Sequence, residues 1–136
     1  MTDAAQAGAL ILIVEDDAMI AEFVTDTLES ADYRVDWAKN GLEALERLTQ
    51  AQPALILLDL GLPLLDGLGV LAELKLRRAA DPSSPPRLPI VIMTGRDSAA
   101  DIRKAASLGA TGHLAKPFSV SLLLSRVVEQ LSKPGP

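Results

Sequence analysis

Three short runs of uninterrupted apolar residues constrain this chain most strongly: Leu10–Val14, Ala54–Leu58 and Ile90–Met93. Runs of that length without polar alternation suit strands buried on both faces, as in a parallel sheet covered by helices on each side. Tyr33–Ala38 and Gly112–Ala115 are weaker runs that bring the set to five. Between the runs, apolar residues recur at three- and four-residue intervals. They are Met19, Ile20, Phe23, Val24 and Leu28; Leu42, Leu45 and Leu48; Leu68, Leu71 and Leu74; Ile102, Ala105 and Leu108; and Leu123, Val127 and Leu131. Such spacing lays one face of a helix against a sheet. The expected order is βαβαβαβαβα, an α/β domain with a doubly wound five-stranded parallel sheet and five helices.

Turn chemistry falls between these segments. Asn40-Gly41 opens the second helix, Asp66 is placed as N-cap of the third ahead of Gly67, and Gly109 closes the fourth. The proline-rich stretch Asp81–Pro89 cannot be helical and reads as a surface loop. The 136 residues fit one hydrophobic core. We therefore expect an N-terminal arm over 1–9, one domain over 10–132 and a flexible tail over 133–136.

Aromatic residues make up 3% of the chain, so the core must come from Leu, Ile, Val and Ala. The absence of cysteine excludes disulfides, thiolate metal sites and thiol catalysis. It also suits a reducing compartment, and Met1–Gly8 has no basic segment of the secretory kind, so a cytoplasmic location is expected. No apolar run approaches the roughly 20 residues of a membrane span. The net charge of −5 with scattered basic residues argues against direct nucleic-acid binding.

Three polar features stand at the carboxyl ends of strands, the edge where open α/β sheets bind ligands. Glu15-Asp16-Asp17 follows the first strand, and Asp59 ends the third. Clustered acids repel one another, and a hard divalent cation such as Mg²⁺ resolves that conflict with oxygen ligands and water. The competing explanation for the triplet is a charge cap on the helix that follows. Thr94 after the fourth strand and Lys116-Pro117 after the fifth add a hydroxyl and a cation at the same edge. An aspartate beside a metal, with such donors near, is equipped to accept a phosphoryl group.

With these residues in order, the chain resembles the receiver domain of two-component response regulators, over essentially Leu10 to Leu131. The motifs are Ile-Leu-Ile-Val-Glu15-Asp16-Asp17, Leu-Leu-Asp59-Leu-Gly-Leu-Pro63-Leu-Leu-Asp66-Gly67, Ile-Met-Thr94-Gly95 and Lys116-Pro117-Phe118. The resemblance implies a flavodoxin-like sheet in the order 2-1-3-4-5, which sets Asp16 beside Asp59. It implies Asp59 as phosphoacceptor, Glu15 and Asp16 as the Mg²⁺-binding pair with Asp16 the direct ligand, and a metal-binding backbone carbonyl at Gly61. Asp17 matches a third acid without a clear duty. Thr94 corresponds to the switch hydroxyl, Lys116 to the lysine that contacts the phosphoryl group, and Lys116-Pro117 to a cis peptide. The implied partners are a histidine kinase or phosphotransfer protein, then a downstream protein target. A phosphorylation-dependent dimer is a further implied assembly. Output is expected at the fourth helix (Asp97 to Leu108), fifth strand and fifth helix.

One position departs from the pattern. Three residues before Lys116 the family carries Tyr or Phe as a second switch residue, and here stands His113; a surface histidine without a switching role is the alternative. Gly61 and Gly95 are small residues flanking the site, which suggests an open site and a short phosphoryl lifetime. Three other readings compete with this one. A receiver cut from a longer regulator or hybrid histidine kinase fits the absence of any output module. A phosphatase with an aspartate nucleophile would carry it after the first strand as Asp-x-Asp, whereas Asp59-Leu60-Gly61 lacks the second acid. A flavodoxin-like cofactor site would need phosphate-binding donors where Glu15-Asp16-Asp17 puts negative charge.

Overall fold

The computed structural model describes residues 7–81, 83, 88–95 and 99–132. Most of the expected arm 1–9, the tail 133–136, most of the 81–89 loop and Asp97 therefore lie outside the described residues. Ten elements alternate along the chain: β1 (Leu10–Val14), α1 (Ala18–Ser30), β2 (Arg34–Ala38), α2 (Gly41–Gln50), β3 (Leu55–Asp59), α3 (Gly67–Ala80), β4 (Ile90–Thr94), α4 (Ala99–Ser107), β5 (Gly112–Ala115) and α5 (Val120–Ser132). The strands form one parallel sheet in the order β2-β1-β3-β4-β5.

Strand alternation sorts the sheet residues into two cores. Leu12, Val14, Ile56, Leu58, Ile90 and Ile92 pack with Ala44 and Leu45 of α2, Val70 and Leu71 of α3 and Ala105 of α4. Ile11, Ile13, Leu55, Leu57, Val91 and Met93 point the other way, onto Val24 and Leu28 of α1 and Leu123 and Val127 of α5. Each buried Val, Leu, Ile and Met here leaves water on folding, a gain of about 1.5–3 kcal/mol apiece before entropy is charged. The two weak runs are the sheet edges. β2 and β5 each bury a single residue, Ala38 and Leu114, which is why their patterns carry polar residues that β3 and β4 exclude before their final residues.

Helix ends follow local chemistry. Asp17, Asn40 and Asp66 cap α1, α2 and α3, their side-chain oxygens accepting from backbone N–H groups one turn on. α4 ends at Gly109 (φ +112°), with Gly109 N–H bonded to Ala106 O and Ala110 N–H to Ala105 O. Two expected helix faces need correction. Met19 and Leu42 are exposed and Phe23 is only partly covered; of the expected α1 face Val24 and Leu28 are buried and Ile20 packs against the core, with Ala21 joining them. The three-and-four spacing fits two adjacent stripes of α1, and the sheet takes the one nearer Val24.

The loop between β3 and α3 is clamped by glycines. A Cβ on Gly67 would lie 2.6 Å from the Asp59 carbonyl oxygen, and one on Gly41 would lie 2.1 Å from that of Leu65. Neither backbone can yield. The close approach brings α3 and α2 tight under the chain that leaves Asp59.

Candidate functional site

β1 and β3 are neighbours, with Val14 opposite Leu58, so the residues after each strand meet at one corner of the sheet. Carboxylate oxygens of Glu15, Asp16 and Asp59 lie within 4.8 Å of one another. Glu15 and Asp59 are buried, and Asp16 is exposed. Lys116 reaches this corner from the end of β5, with Nζ 2.7 Å from Glu15 Oε1 and 3.3 Å from Asp59 Oδ2. The remaining oxygens are held by backbone: Asp17 N–H donates to Glu15 Oε2 (3.1 Å) and Gly61 N–H to Asp59 Oδ1 (3.1 Å). From the edge strand, Trp37 Nε1 donates to the Glu15 carbonyl at 2.7 Å, fixing the chain where it turns out of β1. The peptide Lys116-Pro117 is cis.

Burial dominates the electrostatics of Glu15 and pushes its carboxyl from 4.5 up to about 7; hydrogen bonds from Lys116 and Asp17 pull the other way, and the charge of Asp59 adds to the rise. For Lys116, burial pulls down, but the bond to Glu15 and the charge of Asp59 prevail and hold the amine above its usual value. One cation thus serves two carboxyls and leaves the corner short of positive charge. Three carboxylates, one of them exposed and therefore open to water, form a hard-oxygen set that suits Mg²⁺, which keeps several waters and few protein ligands. The donor set fits that ion.

Thr94 ends β4 and faces the same space. Its side chain is buried, and Oγ1 has no hydrogen-bond partner among the described residues. Asp59, Leu60, Gly61, Met93, Thr94, Gly95, Asp101 and Lys116 line a cavity of about 430 Å³. His113 pairs in register with Ile92 as Ala115 does with Thr94, so Thr94 and His113 share a sheet face. His113 is exposed and borders a second cavity of about 200 Å³ under α4, with Ile92, Ile102 and Ala106.

Every site residue expected from the sequence except His113 thus stands at one corner. The acid triplet divides: Glu15 and Asp16 face Asp59, while Asp17 turns away to cap α1 through Met19 N–H (2.9 Å) and Ile20 N–H (3.3 Å). The charge-cap explanation is therefore correct for one acid of three. Two residues at this corner were not anticipated. Trp37, the chain's single tryptophan, stands one residue before the end of β2, a position that could have flagged it. Asp101 belongs to the first turn of α4 and carried no motif.

Comparisons with known proteins agree with this geometry. A family model described as the response regulator receiver domain matches residues 11–128. The response regulator MprA of Mycobacterium sp. (strain KMS) is 34% identical over 126 residues, covering 93% of this chain and 52% of that protein. The chemotaxis protein CheY4 of Vibrio cholerae superposes with a TM-score of 0.80 at 29% identity, covering 91% of this chain and 99% of that one. NtrX of Brucella abortus gives 0.81 at 28% identity over 91% of this chain and 27% of that one. The chain spans about half the length of the curated relatives it matches. Among the described residues, no helix is long and apolar enough to cross a membrane.

Proposed function

The chain belongs to the response regulator receiver domain family, a family of signalling domains, and we propose that it is a phosphorylation switch whose phosphoacceptor is Asp59. One observation carries the reading: a buried carboxylate held on both oxygens, a charged lysine and a hydroxyl with no partner among the described residues converge on one cavity. An Asp59 oxygen attacks the phosphorus of a phosphohistidine on a histidine kinase or phosphotransfer protein. The new P–O bond forms as the P–N bond breaks, and the imidazole leaves with a proton. Lys116 stands ready to follow the charge from Asp59 Oδ2 to a phosphoryl oxygen, and the Thr94 hydroxyl gains the acceptor it lacks. Glu15, Asp16, Asp59 and the Gly61 carbonyl would hold Mg²⁺, which supplies charge neutralisation for the transferring group.

Readout follows from Thr94. Drawn toward the phosphoryl group, it leaves the sheet face it shares with His113, and His113 answers by moving into the cavity under α4. The face formed by α4, β5 and α5 then changes its affinity for a downstream protein or for a second phosphorylated copy, by population shift. On this reading the switch is the domain over residues 10–132, working in the cytoplasm with its kinase. Acetyl phosphate with Mg²⁺, read by intact mass, tests the chemistry. The wild type gains one phosphoryl group and Asp59→Asn gains none; equal gain in both overturns the assignment.

A second reading concerns what surrounds the domain. MprA and NtrX extend well beyond the matched portion, which favours a receiver that controls an attached output module. Sequencing the complete gene decides between an attached output and a separate protein target.

A further inference from the structure

Resting on the reading of Asp59 as phosphoacceptor, we propose that Asp101 is a positioning residue for hydrolysis of the aspartyl phosphate, its carboxylate accepting a hydrogen bond from the attacking water. The cavity that holds Asp59 and Thr94 is lined on its α4 side by Asp101. Among the described residues, Gly61 N–H and Lys116 hold the two Asp59 oxygens, and the buried Thr94 Oγ1 has no hydrogen-bond partner. Asp101 is exposed and makes no hydrogen bond or ion pair among the described residues. An acid in the first turn of a helix can simply complement the helix dipole. That duty does not need a place on the wall of a phosphoryl site, where a second negative charge opposes the product.

There is room for the water. A Cβ on Gly95 would meet nothing within 4 Å, and one on Gly61 would meet only Asp59 Oδ1 at 3.9 Å. The cavity of about 430 Å³ is many times the roughly 30 Å³ share of one water molecule. In the step itself, the water oxygen bonds to phosphorus opposite the Asp59 oxygen. The P–O bond to Asp59 breaks, its electron pair returns to the carboxylate, and both water protons leave on dihydrogen phosphate. Asp101 contributes orientation and stabilises the partial positive charge that develops on the water.

The test loads the protein with acetyl phosphate and Mg²⁺, removes the donor and follows loss of the phosphoryl group by intact mass. Asp101→Ala is expected to slow decay about threefold to tenfold relative to loading, below the range for full acid–base catalysis because the carboxylate is exposed. Asp101→Asn, which keeps an accepting oxygen without the charge, recovers part of the rate, and Asp101→Glu recovers more. Decay unchanged in Asp101→Ala overturns the proposal and leaves only the helix-dipole duty. Equal slowing in Ala and Asn with faster loading also overturns it, because that is plain charge repulsion. A wild type that takes up no phosphoryl group at all fails earlier and refutes the Asp59 reading instead.

Discussion

On the β1–β3 side of the site, both oxygens of Glu15 and both of Asp59 have partners, and glycines press α2 and α3 against the loop that follows. On the β4–β5 side, the buried Thr94 hydroxyl has no partner among the described residues, and His113 stands exposed beside a cavity. One half is built to hold charge in place, and the other keeps an unmet demand and space to move into. The proposed switch needs both, because a site satisfied on every side would gain nothing from a new phosphoryl group.

Substitutions that should strain one half and spare the other probe that contrast. The largest effect is expected at Lys116. Lys116→Ala leaves two buried carboxyls without their cation and should cost about 3–5 kcal/mol in urea unfolding without Mg²⁺; a loss under 1 kcal/mol would mean the held half is not held by charge. Next is Glu15. Its folded carboxyl titrates near 7 against 4.5 unfolded, so its contribution to stability is complete below about pH 4.5 and is lost as pH rises through about 7. Metal-free protein should therefore be less stable at pH 8 than at pH 5.5, by at most roughly 2 kcal/mol from this group. Glu15→Gln should flatten the difference, and Mg²⁺ should oppose it at pH 8.

A pair of glycines gives a smaller, sharper comparison. Gly67→Ala forces a Cβ against the Asp59 carbonyl and should cost about 2 kcal/mol, whereas Gly95→Ala meets open space and should stay within about 0.5 kcal/mol; matching thermal shifts for the two would erase the contrast. Smallest is Thr94→Val. Removing a buried, unpartnered hydroxyl should raise stability by up to about 1 kcal/mol, while phosphoryl loading falls. A loss of stability would reveal a partner for the hydroxyl.

The sequence made the architecture readable because β1 is apolar throughout and β3 and β4 are apolar up to their last residues, Asp59 and Thr94, and only a doubly covered sheet asks for that. Strand order was not available from periodicity, since nothing in Arg34–Ala38 or Gly112–Ala115 says which neighbour each takes; the family resemblance provided it, and the sheet has that order. Adjacent acids defeated residue-level reading. Asp16 and Asp17 are chemically alike, yet the turn out of β1 sends one to the site and the other to a helix cap. The stripe through Met19 and Phe23 misled for a related reason: spacing reports that a face exists, not which of two adjacent faces meets the sheet. Trp37 and Asp101 reach the site through tertiary placement; the end of β2 could have flagged the first, and no local pattern marks the second.

The most direct measurement is NMR of the protein with beryllofluoride and Mg²⁺, following the amides of Thr94 and His113. The account predicts that both shift in the wild type and that neither shifts in Asp59→Asn. A wild type in which Asp59 and its neighbours respond while Thr94 and His113 stay fixed, or an Asp59→Asn variant that responds as the wild type does, would contradict it.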